Sequence, residues 1–168
     1  MPCKCAVPAV IAPEIRAWGP VFWELLHGLS VRAGKLTDKL IQGDEVRAWI
    51  QIIDNIKNVL PCDECMAHYK RWLAVHDLKQ LLTMPYAEVG PWIRNYFFRL
   101  HNEINTGNEK PQFNESDLIS TYSGVQIKEK RAQLDLVIKQ YILARGIAML
   151  QWTKWQAYVR TLEGLYGI

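Results

Sequence analysis

The stretch Pro61-Cys62-Asp63-Glu64-Cys65 decides the fold, because it marks where one predicted helix ends and the next begins. Proline ends a helix, since it removes a backbone donor and crowds the preceding turn. The two cysteines then fall in the first turn of the next helix, where free N–H groups and the helix dipole favour a thiolate. Their spacing lets them close into a disulfide that thiolate exchange can reduce. By itself the motif also suits half of a zinc site or a thioredoxin-type site, although the latter needs a preceding strand and none is visible.

Outward from this stretch, apolar residues recur at three- and four-residue steps, which predicts helices. The predicted helices run from Trp18 to Gly34 and Thr37-Asp38, from Gly43-Asp44 to Pro61, from Cys62 to His76-Asp77, and from Pro85 to about Asn105. No useful length of sequence alternates with a period of two. Four such helices with short connections predict an all-α protein built on an antiparallel four-helix bundle.

The two ends of the chain differ from this bundle. Residues 1–14 contain three prolines and little periodicity, and we predict a flexible arm that carries Cys3 and Cys5. Residues 123–168 are predicted to form a helical C-terminal extension, which Gly146 would bend or split. Its apolar stripe has two interpretations. In the first interpretation, the stripe packs on the bundle. In the second, its near-heptad spacing indicates a surface that pairs with a partner helix or a second copy of the chain.

Composition narrows the function classes. A net charge of +3 over 168 residues is too mild to indicate nucleic-acid binding. The sequence shows neither a transmembrane span nor a clear signal peptide. Without a signal, a close cysteine pair is more often catalytic or metal-binding than structural.

Further polar and aromatic residues are spaced to share helix faces with the cysteines or with one another. His68 follows Cys65 by three positions, which makes the two side chains neighbours on a helix. The other candidates at helical spacing are Gly19, Trp23 and His27 in the first helix, then His101, Asn102 and Asn105 in the fourth, followed by Lys110 and Pro111. One buried His or Asn is usually only a satisfied core group, but this set beside a dithiol indicates a ligand site.

Three motifs in this order resemble those of the Erv/ALR sulfhydryl oxidases. They are Trp18-Gly19-Pro20-x-Phe22-Trp23-x-x-x-His27, Pro61-Cys62-x-x-Cys65-x-x-His68-Tyr69, and His101-Asn102-Glu103-Ile104-Asn105 followed by Lys110-Pro111. The resemblance covers roughly residues 15–113 and is far more specific than the cysteine pair alone. Asn108 stands where the family often has Leu, and no cysteine remains for the long-spaced structural disulfide of some members.

The resemblance implies a helical bundle that binds FAD, with a short fifth helix beginning within residues 114–120 and an oxidase domain over residues 15–122. It implies oxidation of protein dithiols to disulfides, with electrons passing through FAD to molecular oxygen and hydrogen peroxide released. By motif, Cys65 is the flavin-proximal cysteine and Cys62 the one that exchanges with incoming thiols. The implied FAD-binding residues are Trp18, Gly19, Trp23, His27, Cys65, His68, His101, Asn102, Ile104, Asn105 and Lys110.

Family members usually carry a second, shuttle disulfide on a flexible arm, and Cys3 and Cys5 are the candidates here. An arm of about ten extended residues would reach Cys62 of its own or a partner subunit. The alternative is that Cys3 and Cys5 are inert thiols.

Two rival functions remain open at this point. The four cysteines Cys3, Cys5, Cys62 and Cys65 could bind zinc in a helical interaction module, or the chain could be an inactive scaffold that uses its C-terminal helix. For the oxidase we expect protein dithiol substrates, possible transfer through a thioredoxin-like carrier, a homodimer, and no nucleic-acid partner. A compact, cysteine-poor chain with an unfamiliar helical extension resembles the virus-encoded branch of the family. Because the sequence shows no clear signal peptide, we expect the cytosol (a viral factory or a virion) or the mitochondrial intermembrane space rather than secretion.

Overall fold

The computed structural model describes residues 11–144 and 146–168, which form helices and turns without a strand. The helices are α1 (Ile15–Ser30), α2 (Lys39–Asn55), α3 (Asp63–Ala74), α4 (Tyr86–Gly107), a short α5 (Leu118–Tyr122), α6 (Ile127–Leu143) and α7 (Met149–Tyr166). Short 3-10 turns at Ile56–Asn58, Leu78–Leu82 and Glu115–Asp117 precede α3, α4 and α5. The predicted all-α class is confirmed, and α5 supplies the short fifth helix.

The second helix begins earlier than its sequence pattern suggested. The carboxylate of Asp38 accepts a hydrogen bond from the Leu40 N–H at 2.9 Å and caps α2, which starts at Lys39. The predicted start after Gly43-Asp44 is therefore wrong, and Thr37-Asp38 introduces α2 rather than ending α1. A glycine inside a helix costs only about 1 kcal/mol relative to alanine, and a side-chain cap offsets a similar amount.

A close contact between the end of α1 and the first turns of α4 brings these two helices together. A Cβ on Gly34, where φ is 73°, would lie 2.6 Å from the backbone nitrogen of Gly90. A Cβ on Gly90 would lie 2.3 Å from the carbonyl oxygen of Ala33. Only glycine at both positions allows the backbones to approach so closely. This contact places the residues of α1 and α4 across from each other along the bundle.

The C-terminal extension folds back onto the bundle as two helices. α6 packs against α1, and α7 packs against α2. The chain turns between them at Gly146, where a Cβ would lie 2.1 Å from the ring of Tyr141, so the predicted split at this glycine is confirmed. The buried side chains of the extension join the same apolar core as the bundle: Ile127, Leu134, Ile138, Tyr141, Ile147, Trp152, Trp155, Val159 and Leu162. The stripe is thus used for packing within the chain, while the domain boundary at residues 122–123 stays a prediction.

The buried carboxylate of Glu45 holds the end of α7 on the bundle through a hydrogen bond from Tyr166. Glu45 of α2 accepts hydrogen bonds from the Gly34 N–H at 3.0 Å and from the Tyr166 hydroxyl at 2.6 Å, and a third from the Tyr86 hydroxyl. The Trp49 indole N–H donates to the Tyr166 hydroxyl at 2.8 Å. Because its carboxylate accepts three hydrogen bonds, Glu45 can be fully buried.

Among the described helices, none combines the length and the apolar character that crossing a membrane requires.

Candidate active site

The Cys62–Cys65 pair lies at the start of α3 and forms a disulfide. Cys62 caps the helix, and its sulfur accepts a hydrogen bond from the Cys65 N–H at 3.1 Å. A sulfur that faces free backbone donors at the positive end of a helix dipole is favoured as a thiolate. Both side chains are partly exposed, so a thiol in solution can approach them. The placement of this pair in the first turn of a helix agrees with the sequence analysis.

A cavity of about 330 Å³ lies beside the disulfide, between α1, α3 and α4. The predicted site residues in its wall are Trp18, Gly19, Trp23, Cys62, Cys65, His68 and Ile104. Its wall also contains residues that were not selected from the sequence, among them Phe22, Leu26, Ile56, Leu60, Tyr69, Leu100 and Glu103. A mostly apolar and aromatic wall with a few polar groups is typical of a site for a small organic ligand.

Two histidines meet beside this cavity, although they are 74 positions apart in the sequence. His27 Nε2 and His101 Nδ1 are 3.1 Å apart, so one neutral imidazole donates to the other. The ring of Trp23 stacks on His101 with the ring centres 4.1 Å apart. Burial and then the neighbouring His101 lower the pKa of His27 to about 3, and burial followed by the charge of Lys110 lowers the pKa of His101 to about 4. Both rings are therefore neutral near pH 7.

His68 has a partner that the sequence analysis did not identify. Its Nε2 lies 2.8 Å from the carboxylate of Glu103, on the facing helix α4. Both residues line the cavity, so the pair connects α3 to α4 at the cavity wall. The Glu103 side chain remains 49% exposed, so we assign this contact a positioning effect rather than a large stabilisation.

Five of the predicted FAD-binding residues lie outside the cavity wall: His27 and His101, which meet beside it, and three residues near the end of α4 and in the loop after it, Asn102, Asn105 and Lys110. The Asn102 amide donates to the Phe113 carbonyl at 3.0 Å, and its oxygen accepts from the Phe113 N–H at 2.9 Å. The Lys110 N–H donates to the Asn105 carbonyl at 2.8 Å. These contacts shape the loop after α4, and the Lys110 charge acts on His101 from this loop. Direct contact of the three side chains with a cofactor stays a prediction.

Tyr122 of α5 extends the aromatic cluster and was also missed from the sequence. Its ring stacks on His27 with the ring centres 4.6 Å apart, and the ring centre of Phe113 lies 5.8 Å from that of Tyr122. Tyr122 stands in a five-residue helix with no periodic pattern. The one available signal was an aromatic residue in the predicted fifth helix, which does not say what the ring contacts.

Two buried polar atoms of this region lack a hydrogen-bond partner among the described residues, namely Trp18 Nε1 and His27 Nδ1. Trp18 is 5% exposed and His27 is 1% exposed, so solvent does not readily replace the missing partners. A buried polar group left unpaired costs about 1–3 kcal/mol. These atoms therefore indicate where a polar ligand would be stabilised, and Trp18 lies in the cavity wall itself.

The predicted shuttle cysteines, Cys3 and Cys5, lie outside the described residues. Over residues 11–144 and 146–168, no group of three or more His, Cys, Asp or Glu side chains is placed to hold a metal ion. The zinc hypothesis requires all four cysteines as ligands. Of these, the described residues include only Cys62 and Cys65, whose sulfurs are joined to each other in a disulfide.

Comparison with known proteins identifies the class to which this fold and site belong. A model of the Erv1/Alr family matches residues 20–124, more than half of the chain, and the protein belongs to that family. One relative is a protein of Invertebrate iridescent virus 3 named "Putative FAD-linked sulfhydryl oxidase 096R", which is 27% identical over 107 residues. That match covers 64% of this chain and 66% of the relative, slightly less than two thirds of each. No solved structure shows a significant match. α6 and α7 both lie beyond the family match.

Proposed function

We propose that this protein is an FAD-dependent sulfhydryl oxidase that makes disulfide bonds in protein dithiols. The observation that carries the proposal is a disulfide at a helix N-terminus, set in the wall of an aromatic cavity, in a member of the Erv1/Alr family. The name of the iridescent virus relative supports the same activity and the same cofactor.

The residues around the cavity suit a flavin. Trp18 and Trp23 offer flat apolar walls, and the unpaired Trp18 indole N–H can donate to a carbonyl or ring nitrogen of the flavin. The neutral His27–His101 pair leaves Nδ1 of His27 free for a polar group of the cofactor. We infer that these residues, with Gly19, hold FAD against Cys65.

The chain's own residues carry the thiol chemistry. A substrate thiolate attacks the Cys62 sulfur, breaks the Cys62–Cys65 bond and leaves Cys65 as a thiolate. A second substrate thiolate then displaces Cys62, so the substrate leaves as a disulfide and the cysteine pair holds two electrons. Bound FAD would supply the two-electron acceptor that reoxidises the pair and returns the electrons to molecular oxygen as hydrogen peroxide. The Cys65 N–H that faces the Cys62 sulfur favours the thiolate form of Cys62 during these exchanges.

The purified protein tests this proposal directly. We expect a yellow protein that releases flavin on denaturation, consumes oxygen in the presence of a dithiol and forms hydrogen peroxide. Colourless protein with stoichiometric zinc and no dithiol-dependent oxygen consumption would overturn the proposal in favour of the metal-binding module. A protein that holds flavin but never consumes oxygen with any dithiol would favour the inactive scaffold.

A shuttle role for Cys3 and Cys5 is a separate part of the proposal. Ile15, the first residue of α1, lines the cavity with Cys62, so the arm joins the bundle beside the disulfide. Cys3 stands eight positions before Ile11, a reach of about 27 Å when that segment is extended. Replacing both cysteines with serine should spare the oxidation of a small dithiol and impair that of a protein dithiol. Equal effects on the two substrates would argue against a shuttle.

The remaining partners and the compartment are proposals as well. A homodimer would have to use surfaces other than the faces of α1 and α2 that α6 and α7 cover, and light scattering of the purified chain measures the oligomer. A thioredoxin-like carrier would appear as a mixed disulfide through Cys62 in a Cys65→Ser variant. The viral relative is consistent with action in the cytosol, a viral factory or a virion, which localisation in infected cells would test.

A further inference from the structure

Trp155 connects the C-terminal extension to the cavity. It belongs to α7, which lies outside the segment that matches the family, and its side chain is fully buried. Its ring stacks on Phe22 of α1, with the ring centres 5.7 Å apart and the planes 20° from parallel. A stacked contact of this kind fixes both the position and the tilt of the partner ring.

Phe22 transmits this contact to the cavity wall. Its ring lines the cavity and is only 5% exposed. It meets Trp18 edge-on at 6.0 Å and Trp23 edge-on at 6.4 Å, and both tryptophans also line the cavity. Trp155 therefore supports Phe22 from behind, while the cavity leaves part of the Phe22 ring without protein contacts. A shift of Phe22 would change the spacing between two aromatic walls of the proposed flavin site.

Trp155 is itself held in place by two further contacts. Its indole N–H donates to the Ile52 carbonyl of α2 at 3.2 Å. The ring of Trp152 stacks on it at 5.4 Å, and the Trp152 indole N–H donates to the Asp135 carboxylate of α6 at 2.8 Å. An aromatic stack fixed from α6 through α7 to α1 thus ends at the cavity. Side chains that support a site are effective when their own rotamers are locked in this way.

Further contacts join the extension to α1 and to the residues just after it. Lys130 of α6 forms an ion pair with Glu24, and the Arg32 guanidinium donates to the carbonyl of Ser123 at 3.0 Å. A Cβ on Gly28 would lie 2.7 Å from the side chain of Ile127. α1 is therefore in contact with the extension through Glu24 and Gly28 as well as through Phe22.

We propose that Trp155 is a positioning residue for the cofactor site, which acts through Phe22 to set the spacing of Trp18 and Trp23. This inference rests on the proposed function, because the site it positions is the proposed flavin site. It assigns the C-terminal extension a part in the oxidase site, although no residue of the extension lines the cavity.

The test compares Trp155→Ala with Leu162→Ala, both in α7. Leu162 is also fully buried, and it does not line the cavity, so its variant loses core packing at a distance of two helical turns. The measurements are the dissociation constant of FAD, obtained by diluting the holoprotein and following flavin fluorescence, and the visible absorption spectrum of the bound flavin. Urea unfolding of each holoprotein gives the general loss of stability.

We expect Trp155→Ala to weaken FAD binding by about tenfold or more and to shift the absorption bands of the bound flavin, as supporting residues commonly do. Leu162→Ala should lose comparable stability without either change, and Trp155→Phe should restore most of the affinity and the wild-type spectrum. Should Trp155→Ala fail to fold, Trp155→Leu takes its place against the same control.

Two results would overturn the inference. One is an unchanged FAD affinity and flavin spectrum in the Trp155 variant, and the other is an equal loss of affinity in the Leu162 variant at equal stability. Both are distinct from failure of the proposed function, which would appear in the wild-type protein as the absence of bound flavin or of dithiol-dependent oxygen consumption.

Discussion

The family-matched bundle and the C-terminal extension use their polar side chains in opposite ways. In the bundle, three buried polar atoms lack partners among the described residues: Trp18 Nε1 and His27 Nδ1, at or beside the cavity, and Trp72 Nε1, away from it. In the extension, buried polar groups pair within the extension, as the Glu163 carboxylate does with Arg131 at 2.6 Å and the Trp152 indole with Asp135 at 2.8 Å. Gln156 Nε2 is the exception among the buried atoms described there. Unpaired buried groups mark a place that a ligand completes, whereas paired ones mark packing.

The largest effect should come from the cysteines of the bundle. We expect Cys62→Ser and Cys65→Ser each to reduce dithiol-dependent oxygen consumption at least about 100-fold, because neither variant can form or break the disulfide. The disulfide closes a loop of a few residues, for which the chain-entropy contribution is about 2 kcal/mol, so the thermal unfolding midpoint should fall by only several degrees. Full activity in either variant would contradict the assignment of the chemistry to this pair.

The extension should respond to mutation through stability rather than chemistry. Arg131→Met leaves the Glu163 carboxylate, 5% exposed, without its cation, which we expect to cost about 3 kcal/mol in urea unfolding. The double variant Arg131→Met with Glu163→Met should recover much of that loss, because it removes the unpaired charge as well. A single variant as stable as the wild type would show that the pair contributes nothing to holding α6 and α7 together.

Acid should lower the free energy of unfolding of the bundle through the buried imidazole of His27. The unfolded His27 takes up a proton near pH 6.5, whereas the folded pKa is about 3, so protons bind preferentially to the unfolded state between these values. The stability present above pH 6.5 is therefore lost as the pH falls, by up to about 1.4 kcal/mol per pH unit for one such group. In urea unfolding from pH 7 to pH 5, His27→Phe should show a flatter profile than the wild type. Parallel profiles would remove His27 as the source of acid sensitivity.

Two glycines of the extension provide the smallest and most closely matched test. Gly146→Ala would place a Cβ 2.1 Å from the Tyr141 ring and should cost at least about 1 kcal/mol through overpacking. Gly164→Ala in α7 meets nothing within 4 Å and should instead stabilise the helix by up to about 1 kcal/mol. Thermal unfolding of the two variants measures the difference. Stabilisation of the Gly146→Ala variant, like that expected for Gly164→Ala, would show that the turn at Gly146 is not tightly packed.

Much of the site could be predicted because it is encoded by local order. The position of Cys62 and Cys65 in the first turn of α3 follows from Pro61 and the spacing of the pair, and the structure agrees. His68 is their neighbour on the same helix and lines the same cavity. The start of α2 was predicted wrongly because two nearby residues indicate different helix starts. Asp38 is a capping residue that favours a start at Lys39, whereas Gly43 inside the helix reads as a break.

The sequence by itself determined the helices, the redox-capable pair and the family, because each depends on residues close together in the chain or on motifs in a fixed order. Only the tertiary structure decided that His27 pairs with His101, that Glu103 pairs with His68, and that Tyr122 stacks on His27. It also placed Trp155 behind Phe22, 133 positions away along the chain by the numbering of the two residues. Helical periodicity fixes which side chains share a face, whereas the contacts between faces depend on how the helices cross.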